Sequence, residues 1–379
     1  MKIFEFAKIE PDASFCTDSG DDNTERVPVE RSGHRIVVDD ANLYSLGGYN
    51  PQFWNVRNTE DTYYPLFKEV WKFNFSTHKW TKIKTQGSMP LELASHAAVR
   101  DRKNMLTFGG TGVPFGESSS NDLHVLNLES YKWQHYQCRG DHPEEKYGHA
   151  MLLIDDYLYV CGGTTGWIYN IDVHRLNLRT LVWEKLSPKT VSDCDPDGRY
   201  RHEIAIHQNK LFMFGGGTAH AAYDFQVVPV FSLEKRIWAS VRTVPDNIHG
   251  FPAPRRCHSC TQFENDVYVC GGMDGEKITG DVWRLSLVTL QWSRCCDMSV
   301  PVYFHSADLT PSGCLYSFGG VTKIDDVRTS VVQRMWLKIP SLKELSWNVL
   351  CGLMPQFSEQ NKHTLVDLGV PSNFLDRIS

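Results

Sequence analysis

Residues 149–163 read HAMLLIDDYLYVCGG, and the pattern of this segment indicates how the chain folds. An apolar run, a two-residue turn at Asp155 and Asp156, and a second run ending on two glycines predict a β-hairpin with mostly buried strands. The same spacing from histidine to glycine pair occurs six times; the offset is 13 residues five times and 14 once, at intervals of 47 to 62 residues. Such regularity indicates one supersecondary unit repeated six times. The six pairs are His34 and Gly47, His96 and Gly109, His149 and Gly162, His202 and Gly215, His258 and Gly271, and His305 and Gly319.

Each unit continues past its glycines in the same way. A variable loop leads to a third short strand, such as DVWRLSL from Asp281, and a fourth strand then begins at tryptophan. Four strands in a repeat of about 50 residues are typical of a propeller blade, in which tryptophans fill the gap between neighbouring sheets. The sequence therefore predicts an all-β, six-bladed propeller. The tryptophans are Trp80, Trp133, Trp183, Trp238 and Trp292.

The sixth unit lacks a fourth strand of its own. Its third strand ends at Pro340, and the next residues have the apolar spacing of a helix. The N-terminal MKIFEFAKIEP alternates like a strand, so pairing it with the last blade would close the ring without an open edge. We therefore expect a closing segment at residues 1–26, a propeller at 27–340 and a helical tail at 341–379.

Glycine pairs, a spaced aromatic residue and a downstream tryptophan resemble the kelch repeat from residue 27 to about 339. The resemblance implies a kelch propeller in which the repeat histidines and glycines are mainly scaffold. The eleven cysteines are an odd number and fall mostly within strands, so buried reduced thiols are expected, including the CxxC of Cys257 and Cys260.

Composition and motifs exclude several classes of function. The net charge of −6 has no basic stripe, which disfavours nucleic acid, and no apolar run approaches the ~20 residues of a membrane helix. The polar N-terminus lacks a signal peptide, so a cytoplasmic or also nuclear location is expected. No nucleophile elbow, phosphate-binding loop or zinc-protease motif occurs, so neither an enzyme nor a cofactor is expected.

The tail carries a second set of candidate residues. Leu342, Leu345, Ser346, Val349 and Leu350 would share one side of a helix, and another helix-like stretch runs over residues 364–378. A helix that only caps the propeller is one interpretation. The other is a resemblance to the BC-box, which inserts a leucine into elongin C and commonly has cysteine where this chain has Ser346. It implies elongin C contacts at Leu342, Leu345, Ser346 and Leu350, while Val370, Pro371 and Phe374 resemble a cullin-2 box.

Across both regions the chain resembles kelch-repeat substrate receptors of cullin-2 RING ubiquitin ligases. The resemblance is carried by RSGHR from Arg31, PFGES from Pro114, YRHE from Tyr200, GFPAPRRCHS from Gly250 and PSLKEL from Pro340. It implies assembly with elongin B/C and cullin-2. It also implies recognition of client C-termini that end in glycine or in alanine tails from ribosome-associated quality control, for ubiquitination and degradation.

Residues just before each repeat histidine are expected at the mouth of the central channel. Arginine can hold a terminal carboxylate through two charge-assisted hydrogen bonds, and Arg201 and Arg256 are the first candidates. The alternative role of Arg201 and Arg256 is an inter-blade salt bridge with an acid such as Glu203. Arg199 and Arg255 are expected to brace neighbouring blades. Hydroxyls that would orient the peptide belong to Tyr147, Tyr200, Tyr303, Ser32 and Ser95. Residues that follow the glycine pairs either line the pocket walls or lie in ordinary exposed loops. They are Tyr49, Thr111, Thr164, Thr218 and His220.

A competing function is a non-catalytic kelch scaffold. The family resemblance suggests that such a scaffold acts in oxidative-stress signalling, through an apoptosis signal-regulating kinase and an opposing serine/threonine phosphatase. Cytoskeletal binding is a third class, which only analogy with other kelch propellers supports. The tail discriminates, because a scaffold does not need Leu342 and Pro371 in this order.

Overall fold

The computed structural model describes residues 3–12, 27–54, 65–188, 195–324, 327–354 and 362–378. Six antiparallel sheets follow one another in chain order, and the innermost strands of neighbouring sheets touch all the way round, from the sixth sheet back to the first. The six-bladed propeller is confirmed, and we number the blades one to six along the chain.

Each blade has four strands in the order inner to outer. Blades one to three comprise Arg35–Val38, Asn42–Leu46, Val70–Asn74 and Trp80–Ile83; Ala97–Asp101, Asn104–Phe108, Leu123–Asn127 and Trp133–Tyr136; and Ala150–Ile154, Tyr157–Thr164, Tyr169–Asn177 and Val182–Lys185. Blades four to six comprise Glu203–His207, Lys210–Phe214, Val227–Ser232 and Ile237–Arg242; Ser259–Phe263, Asp266–Cys270, Asp281–Ser286 and Trp292–Asp297; and Ser306–Leu309, Cys314–Phe318, Val332–Trp336 and Ala7–Ile9. Blade three has a fifth, parallel strand at Arg139–Gly140. Smaller elements are a 3₁₀ turn at Pro51–Phe53 and a loop hairpin in blade six, in which Val321–Lys323 pairs with Val327–Arg328.

The hydrophobic core is divided into clusters between neighbouring blades. Trp183 of blade three lies 5.1 Å from Phe108 of blade two, and Trp80 of blade one lies 4.9 Å from Phe318 of blade six, measured between ring centroids. Trp292 makes the same kind of contact with Phe225 of blade four. The predicted role of the tryptophans as filling between sheets is confirmed.

The constant spacing from histidine to glycine has a direct steric cause. A Cβ atom built on Gly162 of blade three would lie 2.5 Å from Cε1 of His202, the repeat histidine of blade four, and Gly162 has a φ of +64°. A Cβ on the second glycine, Gly163, would lie 2.9 Å from Cβ of His149 in the same blade. Each glycine pair therefore fits between its own histidine and that of the next blade, and only glycine leaves the space.

The N-terminal strand Ala7–Ile9 is the outermost strand of blade six. It pairs antiparallel with Val332–Trp336, with Ile9 opposite Val332. Ile9 is buried in the cluster shared by blades six and one. Both ends of the propeller sequence thus form one sheet, which leaves that blade with its full complement of strands.

The tail consists of three helices, α1 (Leu342–Leu353), α2 (Lys362–Asp367) and α3 (Ser372–Leu375). The side chain of Ser341 caps α1 by accepting a hydrogen bond from the Glu344 amide. One predicted feature is wrong, because the second helical stretch is interrupted: Gly369 has a φ of +86°, and Pro371 disfavours helical backbone in the residue before it. None of the helices that the structure describes is long and apolar enough to cross a bilayer.

Candidate functional site

The residue before each repeat histidine belongs to a closed ring of hydrogen bonds around the central channel. Each amide donates to the corresponding carbonyl of the preceding blade, over 2.7 to 3.1 Å, and each of these residues has a positive φ between 55° and 68°. The ring fixes the positions of the side chains that point from it. Its members in order are Gly33, Ser95, Gly148, Arg201, Cys257 and Phe304.

Arg201 extends from this ring towards the other blades. Its guanidinium donates a hydrogen bond to the Ser95 hydroxyl of blade two and lies 4.5 Å from the centre of the Phe304 ring of blade six. The side chain is only 9% exposed, and burial lowers its pKa. The alternative of a salt bridge with Glu203 is wrong: Glu203 pairs instead with Arg35 at 3.0 Å. Within the described residues Arg201 has no carboxylate partner, so the structure brings a buried cation and Ser95 together at the channel.

A second tier at the mouth consists of residues two positions before each histidine. Each forms an antiparallel bridge with the residue after its own glycine pair. Arg256 lies here half-buried, and its guanidinium donates to the backbone oxygens of Thr218 at 2.5 Å and Ala219 at 3.3 Å. It forms no salt bridge within the part of the chain that the structure describes. The bridged pairs are Ser32 with Tyr49, Ala94 with Thr111, Tyr147 with Thr164, Tyr200 with Gly217, Arg256 with Met273, and Tyr303 with Val321.

The tyrosines of this tier differ in accessibility. Tyr147 and Tyr200 are half-buried, and burial raises the pKa of both hydroxyls, that of Tyr200 to about 12. Both are therefore neutral hydrogen-bond donors at physiological pH. Tyr303 is instead buried in a cluster with Cys257, Met273 and Val321, so it supports the mouth more than it lines it.

Ser32 has a partner that the repeat pattern did not indicate. Nε of Arg328 donates to the Ser32 hydroxyl at 3.0 Å and to the Tyr49 backbone oxygen at 3.1 Å, and its guanidinium lies over the Tyr49 ring. Arg328 belongs to the loop hairpin of blade six, which occupies no fixed repeat position, so no spacing signal could have found it. Three arginines, Arg201, Arg256 and Arg328, thus surround the mouth of a chain whose net charge is −6.

The expectation that Arg199 and Arg255 brace neighbouring blades is confirmed. The Arg255 carbonyl accepts from the Gly216 amide of blade four, while its guanidinium bonds the Gly271 carbonyl and Asp281 of its own blade. Arg199 bonds Gly163 and Gly215 in the same way. Both ends of these arginines are therefore occupied by the scaffold.

Thr111 and Thr164 are neither pocket walls nor exposed loop residues. Both are buried, and their hydroxyls accept hydrogen bonds from the amides of Gly116 and Gly166, each at 3.0 Å. They hold the loops that follow the glycine pairs. His220 is exposed in such a loop on blade four.

Helix α1 presents an apolar stripe to solvent. Leu342 is 82% exposed, and Ser346, Val349 and Leu353 continue the same face; we call these four residues the α1 stripe. Leu345 is half-buried, as is Leu350, which packs into the tail's own cluster. Leu350 is therefore engaged in packing within the tail, and its contact with elongin C stays a prediction.

The residues that resemble a cullin-2 box also differ in their exposure to solvent. Pro371 is exposed and Val370 is half-buried. Phe374 is buried, and its ring stacks on Trp347 of α1 with centroids 4.6 Å apart. Phe374 thus organises the tail, and its contact with cullin-2 stays a prediction.

The tail is fixed to the face opposite the mouth. Nε1 of Trp347 donates to the Ser76 hydroxyl, in the turn between the third and fourth strands of blade one, and Nδ2 of Asn74 donates to the Arg377 carbonyl. Arg377 in turn forms two hydrogen bonds to the carboxylate of Glu344, at 2.9 and 2.8 Å. Turns between third and fourth strands lie at the sheet end opposite the loops that follow the glycine pairs.

Comparison with known proteins fits this architecture. The chain matches the family model described as the KLHDC2/KLHL20/DRC7 Kelch-repeats domain over residues 21–216 and 188–366. It is 46% identical to kelch domain-containing protein 10 of Rattus norvegicus, over 93% of this chain and 87% of that protein. The Homo sapiens protein of that name is 46% identical over 93% of this chain and 80% of its own length, and the Drosophila melanogaster homolog is 37% identical over 93% and 62%.

The chain belongs to the kelch domain-containing protein 10 family. For this family, a kelch propeller is consistent with a protein-binding scaffold without an active site of its own. No group of three or more His, Cys, Asp or Glu side chains suited to a metal ion occurs in the described ranges.

Proposed function

We propose that the protein is the substrate-recognition subunit of a cullin-2 RING ubiquitin ligase. In this proposal the tail binds elongin C and cullin-2, with elongin B in the same complex, and the propeller mouth binds the carboxyl termini of clients that end in glycine or alanine. Ubiquitination of those clients would mark them for proteasomal degradation.

The observation that carries the proposal is the α1 stripe. Leu342, Val349 and Leu353 expose apolar side chains along one continuous face of α1, and contiguous exposed apolar surfaces mark protein contacts. Trp347 and Phe374 hold the other side of α1, so the stripe is presented in a fixed orientation. An amphipathic helix of this kind suits a hydrophobic groove on a partner.

The chemistry of the mouth supports the second part of the proposal. Arg201 and Arg256 form no salt bridge within the described ranges, so their charge is available to an anion. A terminal carboxylate at the mouth would gain charge-assisted hydrogen bonds, and the hydroxyls of Tyr147 and Tyr200 are placed in the same tier. Because the tail lies on the opposite face, client and ligase can be bound at once.

A peptide-binding assay tests the client half of the proposal. We would measure the affinity for a peptide ending in glycine and for the same peptide with an amidated C-terminus. Loss of binding on amidation is expected, since the amide removes the charge that the arginines recognise. Equal affinity for both forms would show an internal-motif reader instead.

A further inference from the structure

A groove on the mouth face lies between the loops of blades two and three. It has a volume of about 360 Å³. Three of its residues are carboxylates, all of them exposed. The lining consists of Gly116, Glu117, Ser119, Glu144, Glu145 and Thr165.

The two loops approach each other most closely at a pair of glycines. A Cβ built on Gly166 would lie 2.9 Å from the Gly116 Cα, and both residues have a positive φ. The buried hydroxyls of Thr111 and Thr164 anchor these same glycines through their amides. These contacts fix the position of both loops, so the groove between them is present without a bound ligand.

The chemistry of the groove is acidic with an apolar rim. In the described part of the chain Glu117, Glu144 and Glu145 form no salt bridge with lysine or arginine. At the tip of the turn that begins at Thr165, Trp167 is 88% exposed and Ile168 is 64% exposed. Trp167 and Ile168 follow the lining residue Thr165 in the same turn, so two adjacent large apolar side chains are exposed next to the groove.

The groove adjoins the proposed client site. Tyr147 of the mouth bridges to Thr164, the residue before Thr165, and its hydroxyl would lie 3.7 Å from a Cβ on Gly116. An extended peptide advances about 3.3 Å per residue, so a client whose carboxylate is at the mouth would meet the groove with residues upstream of its end.

We propose that this groove binds the client segment upstream of the carboxyl terminus and selects basic side chains accompanied by a large apolar one. The three carboxylates would attract lysine or arginine, and Trp167 with Ile168 would cover the apolar residue. This inference rests on the proposed function, whose arginines recognise only the terminus itself. It adds a second determinant, so that clients with equal endings differ in affinity.

The test compares Gly-ended peptides that share their last residues and differ upstream. One carries two lysines flanking a leucine, another two glutamates flanking the same leucine, and a third carries only serines. Wild type should bind the lysine peptide about tenfold more tightly than the glutamate peptide. Glu144→Gln with Glu145→Gln should remove most of that difference and leave the affinity for the serine peptide unchanged. The matched control, Glu234→Gln with Glu276→Gln, changes charge equally at exposed sites outside the groove and should preserve the difference.

The outcomes separate the two proposals. Equal affinity of wild type for the lysine and glutamate peptides, with binding still lost on amidation, would overturn the groove and leave the terminal site. A preference that persists in the Glu144 and Glu145 variant would also overturn the groove. Failure of every peptide to bind would overturn the proposed client site and this inference with it.

Discussion

The Gly33 amide donates a hydrogen bond to the Phe304 carbonyl oxygen at 3.0 Å, and this bond joins the first blade to the last. The same junction is fastened further along the inner strands, where the Asp308 carboxylate accepts from the Val38 amide at 2.9 Å. The outer end of blade six is completed by the N-terminal strand. The ring is thus closed both at its channel and at its rim.

Closure at the rim predicts that Ile9→Asp is strongly destabilising. The substitution places a carboxylate in the apolar cluster between blades six and one, and we expect a loss of about 3 kcal/mol or more in the free energy of unfolding. Urea denaturation followed by tryptophan fluorescence measures it. Lys8→Ala, at an exposed position of the same strand, should change stability by less than about 0.5 kcal/mol. Equal midpoints for wild type and Ile9→Asp would show that the strand does not close the ring.

The histidine contact predicts a difference between two glycine-to-alanine substitutions. Gly162 and Gly250 both have a positive φ, of +64° and +73°, but no described atom lies within 4 Å of a Cβ on Gly250. Gly250→Ala should cost only the backbone strain, about 1–2 kcal/mol. Gly162→Ala must also displace His202 and should cost about 1–3 kcal/mol more, measured as the difference in free energy of unfolding. Equal costs would contradict the steric role of the histidine.

The buried histidines predict acid sensitivity. Burial lowers the pKa of His96, His202 and His305 to about 3, and the other three repeat histidines also titrate well below 6.5. Between these values the unfolded chain binds protons that the folded protein does not, so the free energy of unfolding falls as the pH drops below about 6.5. Asp308 and Asp266 act in the opposite direction, since burial raises the pKa of both carboxyls, that of Asp308 to about 6, but they are two groups against the six repeat histidines.

Urea unfolding at two pH values measures this effect. We expect the free energy of unfolding to be lower at about pH 5.5 than at about pH 7.5 by roughly 4 kcal/mol or more. Replacing the exposed His220 with asparagine should leave the difference unchanged. Equal stability at both pH values would mean that the repeat histidines become protonated within the folded protein.

The mouth chemistry predicts that Arg256→Ala weakens binding of a Gly-ended peptide by about 2 kcal/mol, through loss of a charged contact. Isothermal titration calorimetry measures the affinity, and Arg242→Ala removes the same side chain at an exposed site on the outer strand of blade four. Affinity within about twofold of wild type for Arg256→Ala would remove this residue from the site.

Much of this architecture could be predicted from sequence because it repeats. His202 and Gly162 show why, since a steric contact between neighbouring blades forces the same residue types at the same spacing in every blade. Arg201 and Arg328 show the limit: the burial of one and the contact of the other with Ser32 depend on chain segments far apart in sequence. In the tail, helical spacing suggested Leu350 and the resemblance to a cullin-2 box suggested Phe374 as partner contacts, whereas packing with Trp347 and its neighbours decides which apolar residues stay exposed.

In the proposed function the α1 stripe recruits a ubiquitin ligase. The most direct measurement is binding of purified elongin B/C by wild type, Leu342→Asp and Leu368→Asp, with cullin-2 added to the captured complex. Leu368 is an exposed leucine of the tail outside the stripe, so it controls for the same chemical change. We predict capture by wild type and Leu368→Asp, and a loss of about a hundredfold or more in affinity for Leu342→Asp at unchanged melting temperature. No binding by wild type, or equal binding by Leu342→Asp, would exclude ligase recruitment by the α1 stripe and leave the tail as a cap on a kelch scaffold.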